Sequence, residues 1–202
     1  MIKISNLCKK YGEHVIFEDF SCEIKDGEFV VFNGVSGKGK TTLLNMIGGL
    51  EKYNSGSIEI DGLDLKKSKN VMKLYKDKIG FLFQNFALVE KDTVDKNLKM
   101  IDKKYRSDIS IQDALKKVGL ENYEKRKIYT LSGGEQQRVA IARLLLKKCS
   151  VVLADEPTGS LDRANADIIM NYLKELNEAG KTIIMVTHDE KYKSECGRVI
   201  EL

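Results

Sequence analysis

The chain contains one proline, Pro157, and neither an internal repeat nor a low-complexity segment, so repeat arrays and proline-rich spacers are excluded. Its four cysteines, Cys8, Cys22, Cys149 and Cys196, form no Cys-x-x-Cys pair, and the two histidines, His14 and His188, complete no zinc spacing. Reduced, structural thiols of a cytosolic protein are the expectation. No apolar run approaches the ~20 residues that a spanning helix needs, and the first residues carry no signal-peptide pattern. Any membrane contact is therefore expected to run through a partner. Charge of one sign is also lacking: 34 basic residues stand against 30 acidic ones, a net of +4, read as interspersed rather than blocked. That balance describes a mixed solvated surface, and nucleic acid is not an expected partner.

What remains is a globular composition, 42% hydrophobic and 32% charged over 202 residues, enough for one domain with a substantial core. Ile2–Leu7 and Val15–Ile24 alternate apolar and polar residues as half-buried strands do, with a turn at Tyr11-Gly12. Glu28–Phe32 is a short apolar run, and Thr41–Ile47 reads as a helix ending at Gly48-Gly49. Ser57–Ile60 followed by Asp61-Gly62 reads as an edge strand and turn, and Ile79–Phe83 as a buried strand. From about Asn85 to Lys148 strand signals vanish. Ile111, Leu115 and Val118 form a helical stripe stopped by Gly119, and Val139–Leu146 is helical in composition. Strand (Val151–Ala154), helix (Leu161–Ala179) and strand (Thr182–Val186) follow, with a short final strand in Gly197–Leu202. This alternation predicts an α/β fold with a parallel sheet covered by helices.

Three motifs carry chemistry. Gly34-Val35-Ser36-Gly37-Lys38-Gly39-Lys40-Thr41 fits the phosphate-binding loop pattern. Gly34, Gly37 and Gly39 permit positive φ angles and let phosphate oxygens approach backbone N–H groups, aided by the N-terminus of the next helix with Thr42. Lys40 is placed to reach the β- and γ-phosphates, and the Thr41 hydroxyl to ligate magnesium. Lys38 admits two readings, a solvated side chain or a cation that alters nucleotide affinity or a dimer seam. Val151–Glu156 is an apolar strand ending in two carboxylates: Asp155 for magnesium and Glu156 for the attacking water, or alternatively a helix cap before Pro157. Leu131-Ser132-Gly133-Gly134-Glu135-Gln136-Gln137-Arg138 opens a helix with N–H groups and a hydroxyl, an anion site with no lysine or metal ligand.

These segments, in this order, resemble the ATP-binding-cassette (ABC) ATPases over essentially the whole chain. The resemblance implies a phosphate-loop NTPase core with a mostly parallel sheet, an N-terminal antiparallel β subdomain and an inserted helical subdomain. Residues 1–84 and 149–202 would hold the core and β subdomain, and about 85–148 the helical part, within one domain spanning 1–202. It implies ATP and Mg2+ as ligands. Gln84 then senses magnesium and the attacking water, and His188 is the switch histidine on the γ-phosphate, although a histidine ending a buried strand is also an ordinary structural residue. Tyr11 would stack on adenine, or else is a turn tyrosine. Ser132, Gly133 and Gly134 would complete the ATP site of a second cassette in a head-to-tail homodimer, with Ser160-Leu161-Asp162 at the seam. Val35 and Lys38 depart from the family pattern, in which proline and a small residue are common at these positions.

Within the family the transporter reading is favoured: an ATP-hydrolysing subunit on the cytoplasmic face of the membrane, bound to a separate permease. Leu153–Asp162 resembles the group serving lipoprotein release and macrolide and antimicrobial-peptide export, and the short C-terminus resembles small cassettes linked to bacteriocin export. A second class stays open: a cassette that moves nothing and relays ATP-driven strain through a membrane partner during cell division.

Overall fold

The computed structural model describes residues 1–202. Two sheets share the chain. The first is antiparallel, ordered β2-β1-β4-β5, from β1 (Ile2–Tyr11), β2 (His14–Ile24), β4 (Ser55–Ile60) and β5 (Leu63–Asp64). Alternation places Ile2, Ile4, Ile24, Ile58 and Ile60 on its buried face and lysines and glutamates outside. The second is wholly parallel, ordered β6-β7-β8-β3-β9: β3 (Phe29–Asn33), β6 (Ile79–Leu82), β7 (Val151–Asp155), β8 (Thr182–Val186) and β9 (Arg198–Glu201).

Strands β3, β7 and β8 are apolar almost throughout because both of their faces are covered. One face meets α1 (Lys40–Ile47), wedged toward the antiparallel sheet. There Val30, Phe32, Leu153 and Ile184 pack with Leu43, Leu44, Met46 and Ile47. The alternate residues, Val31, Val152, Ala154 and Met185, join the other core. They pack with α5 (Gly133–Leu146) and α6 (Arg163–Glu178). Between β6 and β7 every regular element is helical: α3 (Val94–Lys99), α4 (Ile111–Lys117), α5 and two short 3₁₀ turns. The remaining helices are α2 (Ser68–Asp77) and α7 (Glu190–Ser194).

One strand expectation is corrected. Ser57–Ile60 belongs to a longer β4 that is not an edge, because Asp61 (φ 50°) and Gly62 (φ 73°) reverse the chain into β5, which pairs beyond it. Two successive positive φ angles suit a tight two-residue hairpin. The first turn also shifts: Tyr11 still pairs with His14, so Gly12 and Glu13 form the loop. The long helix begins at Arg163 rather than Leu161, because Asp162 is its N-cap, accepting from the Asn165 N–H at 3.0 Å.

Candidate functional site

Parallel strands bring their C-terminal ends, and the loops that follow, to one edge. There β3 delivers the glycine loop, β7 delivers Asp155 and Glu156, β6 delivers Gln84 and β8 delivers His188. A cavity of about 330 Å³ is lined by Ser36, Gly37, Gly39, Lys40, Thr41, Thr42, Gln84, Glu156 and His188, with Ile16 and Val186 as apolar walls. Six of these side chains or glycines come from one loop and helix start; the other predicted members arrive from three separate strands.

The loop is shaped by backbone, not by side chains. Gly39 has φ 83° and serves as N-cap of α1 without any side-chain cap, so the first N–H groups of the helix face the cavity. A Cβ on Gly39 would lie 2.3 Å from Ile16 Cγ2, which forbids a larger residue. Lys40 is buried, and its Nζ donates to the carbonyls of Gly34 (2.7 Å) and Val35 (3.0 Å), inside the loop it serves. Lys38 is exposed and forms no ion pair. Gly34 lies behind the cavity wall, with its carbonyl on Lys40.

The carboxylates sit in a drier setting. The Thr41 hydroxyl donates to Asp155 Oδ1 at 2.9 Å across the gap between α1 and β7. Burial pushes the Asp155 carboxyl above the ordinary carboxylate range, partly offset by Thr41. Glu156 is likewise pushed up by burial, against the opposing pull of His188. Its Oε1 is buried without a well-formed hydrogen bond, although His188 Nε2 stands 3.1 Å away, and the His188 N–H approaches Oε2 at 3.4 Å. Glu156 also holds φ 44°, the left-handed region, a strained setting for a residue with a Cβ. The cap alternative for this pair fails: Glu156 faces the phosphate loop, and the following helix is capped by Asp162 instead.

Gln84 is exposed and borders a second recess of about 540 Å³, lined by Phe83, Asn85, Phe86, Asp155 and Ser160. The loop behind it is clamped by a residue outside the three motifs. Arg143, on α5, donates to the carbonyls of Ala87 (2.6 Å) and Phe86 (2.9 Å), whose φ angles are both positive. Gln137 does similar work on the other side, donating from its buried Nε2 to Pro157 O at 2.7 Å, just past Glu156. Helix α5 therefore touches both the glutamine loop and the segment after the carboxylates. Only long-range contact reveals these two residues.

Tyr11 and the Ser132 segment lie apart from this cavity. Tyr11 ends β1 with its ring half exposed, and Lys9 Nζ lies 4.2 Å from the ring centroid. Ser132 is the N-cap of α5 in a complete capping box: its Oγ accepts from the Glu135 N–H, and its own N–H donates to Glu135 Oε2 at 2.8 Å. Tyr123 braces the box by donating to Glu135 Oε1 at 2.8 Å. The nearest side chains to a Cβ on Gly133 would be Phe86 and Leu161, and on Gly134 Asn165, none of which lines the phosphate cavity. One chain thus carries two separate helix N-termini with outward N–H groups.

Known proteins agree with this layout. The family described as "ABC transporter" matches residues 17–159. The macrolide export ATP-binding/permease protein MacB of Campylobacter jejuni is 39% identical over 100% of this chain and 33% of its own length. This chain thus spans about a third of such relatives. An ABC transporter ATP-binding protein of Methanocaldococcus jannaschii, MJ0796, is 43% identical over 94% of this chain and 87% of its own length. A dimeric, post-hydrolysis structure of the MJ0796 cassette bound to ADP and Pi superposes with a TM-score of 0.88, at 39% identity, over 100% of this chain and 94% of that one. The methionine import protein MetN of Campylobacter jejuni is 41% identical over 94% of this chain and 63% of its length. The chain belongs to the ABC transporter family, as an ATP-binding domain of the ATP-hydrolysing kind.

Proposed function

We propose that the chain powers a membrane exporter by binding and hydrolysing ATP between two copies of itself, each docked on a permease. The observation that carries the ATPase half is the convergence of Lys40, Thr41, Gln84, Glu156 and His188 on one cavity, with Asp155 bonded to Thr41 at its rim. Backbone N–H groups of the loop bind the phosphates, and Lys40 leaves its two carbonyl partners to meet the β- and γ-phosphates. Glu156 holds and deprotonates the attacking water, since its raised affinity for protons suits a base. His188 keeps Glu156 oriented and reaches the γ-phosphate from the end of β8.

The oxygen set of the Thr41 hydroxyl, the Asp155 carboxylate and the Gln84 amide suits a hard divalent cation such as Mg2+. No cluster of three acidic, histidine or cysteine side chains is present, in keeping with magnesium's habit of relying on one or two carboxylates plus phosphates. Partial burial raises the proton affinity of Asp155, a cost that a cation held beside it would offset. When bound, the cation would neutralise charge on the β- and γ-phosphates.

The capped helix end at Ser132, with Gly133 and Gly134, is the second half of the ATP site, offered to the partner chain; the dimeric cassette of the M. jannaschii relative supports the pairing of two copies. Tyr11 then stacks on the adenine outside the phosphate cavity. No helix is long and apolar enough to cross a membrane, so a permease supplies the path. Similarity to MacB supports export, and similarity to MetN is the counterweight. The test is to co-purify the tagged chain with its membrane partner and measure ATP-driven transport in reconstituted vesicles. A partner with a substrate path and outward transport supports the reading; a partner with only an extracytoplasmic arm, and no flux, overturns it in favour of force transmission.

A further inference from the structure

Positive charge is not spread over the chain as the residue balance suggested. Lys66, Lys67, Lys69, Lys73, Lys76 and Lys78 face a single acid, Asp77, in one short run, a surplus larger than the +4 of the whole protein. The remaining residues therefore carry a slight negative excess. Most of this run is α2, whose inner side is held by Leu74, buried, with Val71 and Tyr75 partly covered. Lys69, Met72, Lys73 and Lys76 follow the i, i+3, i+4, i+7 spacing of one helix face, and all four are exposed. Met72, at the centre of that stripe, is 55% exposed.

Five of these six lysines form no ion pair within the fold. Of the six only Lys78 pairs with an acid, Asp61 at 2.9 Å, and Lys66 leans toward the Tyr53 ring at 5.8 Å. Some exposed lysines elsewhere find carboxylates, as Lys96 does with Asp92 and Lys99 with Asp95. Their placement also opposes the helix they decorate. Lysines occupy the N-cap and the first turn, where no acid is present and where the helix dipole disfavours cations.

We infer that this face of α2 docks on an anionic lipid bilayer, its lysines against headgroup phosphates and Met72 at the headgroup–acyl boundary. Charge complementarity selects the occupant. The stripe runs along two turns of one helix face, which matches a continuous negative plane. An acidic protein segment would instead seek the adjoining cavity of about 470 Å³, which Lys66 and Met72 border but Lys69, Lys73 and Lys76 do not. The inference adds direct lipid contact to the permease-borne location proposed above. It is tested without permease or nucleotide, so the two can fail separately.

The experiment is co-sedimentation of the full chain with vesicles of phosphatidylglycerol and phosphatidylcholine, and with vesicles of phosphatidylcholine alone. The wild type should bind only the anionic vesicles at low salt and be released at 1 M salt, where screening shortens to about 3 Å. The triple variant Lys69→Gln/Lys73→Gln/Lys76→Gln should lose on the order of a hundredfold in partitioning, about fivefold per lysine, with basal ATPase unchanged. Lys116→Gln/Lys117→Gln/Lys125→Gln, equal in charge removed but on another surface, should bind as the wild type does. Equal recovery of the wild type on neutral and anionic vesicles overturns the inference, as does an equal loss in the two triple variants. An inactive ATPase that still binds anionic vesicles would count against the proposed function alone.

Discussion

Helices α1 and α5 both start at glycine-rich segments and both turn N–H groups outward, yet the fold finishes them differently. At α1 the N-cap is Gly39, with no side chain to satisfy the first N–H groups, and a buried lysine stands one residue on. The loop is walled by Ile16 and Phe17 so tightly that no Cβ fits on Gly39. At α5 the end is closed locally by the Ser132–Glu135 capping box and the Tyr123 brace, while Gly133 stands nearly clear of neighbours. No lysine follows it. The first terminus has the cation, the hydroxyl and the carboxylates that phosphoryl transfer needs; the second has only donors on a rigid mount. On the proposed function, similar local chemistry yields a half-site equipped to react and a half-site equipped only to complete another.

If that division is right, damage at α1 and its strands should remove chemistry outright. Glu156→Gln should cut hydrolysis by about 10²- to 10⁴-fold, the usual worth of a general base, while ATP binding persists; single-turnover assay and equilibrium binding on the same preparation check both. Hydrolysis at the wild-type rate would remove Glu156 from the role of base. Lys40→Ala should lower turnover by about 10²- to 10³-fold, as loss of a preorganised charge at the reacting phosphate does, and should weaken ATP binding as well. Near-normal steady-state ATPase in that variant would mean that the α1 terminus is not the reactive one.

A smaller effect concerns stability without nucleotide. Burial raises the proton affinity of the Glu156 and Asp155 carboxyls, so their contribution to stability is present while they are protonated, below the usual carboxylate range. It is lost as pH rises through their raised values. Once ionised, each carboxylate carries the cost of its partial burial. Glu156→Gln should melt at a higher temperature than the wild type at pH 7, with the difference shrinking as the solution is acidified. A lower melting temperature at pH 7 would show that the contact with His188, at 3.1 Å, outweighs the burial.

Much of this was legible in the residues because the physics is local. The apolar runs of β3, β7 and β8 can only be strands covered on both faces, and Thr182–Val186 was placed to the residue. The glycine loop and the strand-end carboxylates announce themselves by spacing. Other features depend on distant parts of the chain. Helix α2 gives a weak signal in the sequence because its apolar side is only three residues, Val71, Leu74 and Tyr75, of which Leu74 alone is buried, and α7 is only five residues long. From sequence alone strand β4 reads as an edge, because a two-residue β5 leaves almost no signal. Arg143 and Gln137 gain meaning only from the carbonyls they reach, 56 or 57 and 20 residues away. Tyr11 sits beyond the phosphate cavity, since strand β1 ends before it reaches the loop.

The comparison turns on whether the α5 terminus serves the other chain. Ser132→Arg in the Glu156→Gln background, followed by sedimentation velocity and ATP binding in the presence of Mg2+, tests it most directly. The account predicts that Glu156→Gln alone gathers into an ATP-dependent dimer, whereas the double variant stays monomeric and binds ATP with affinity within about twofold of the single variant's monomer, measured at a protein concentration too low for dimerisation, because a lesion outside the phosphate cavity adds independently. A double variant that still dimerises, or a monomer that has lost its ATP affinity, would place Ser132 outside the seam or within its own chain's site and contradict the division of labour.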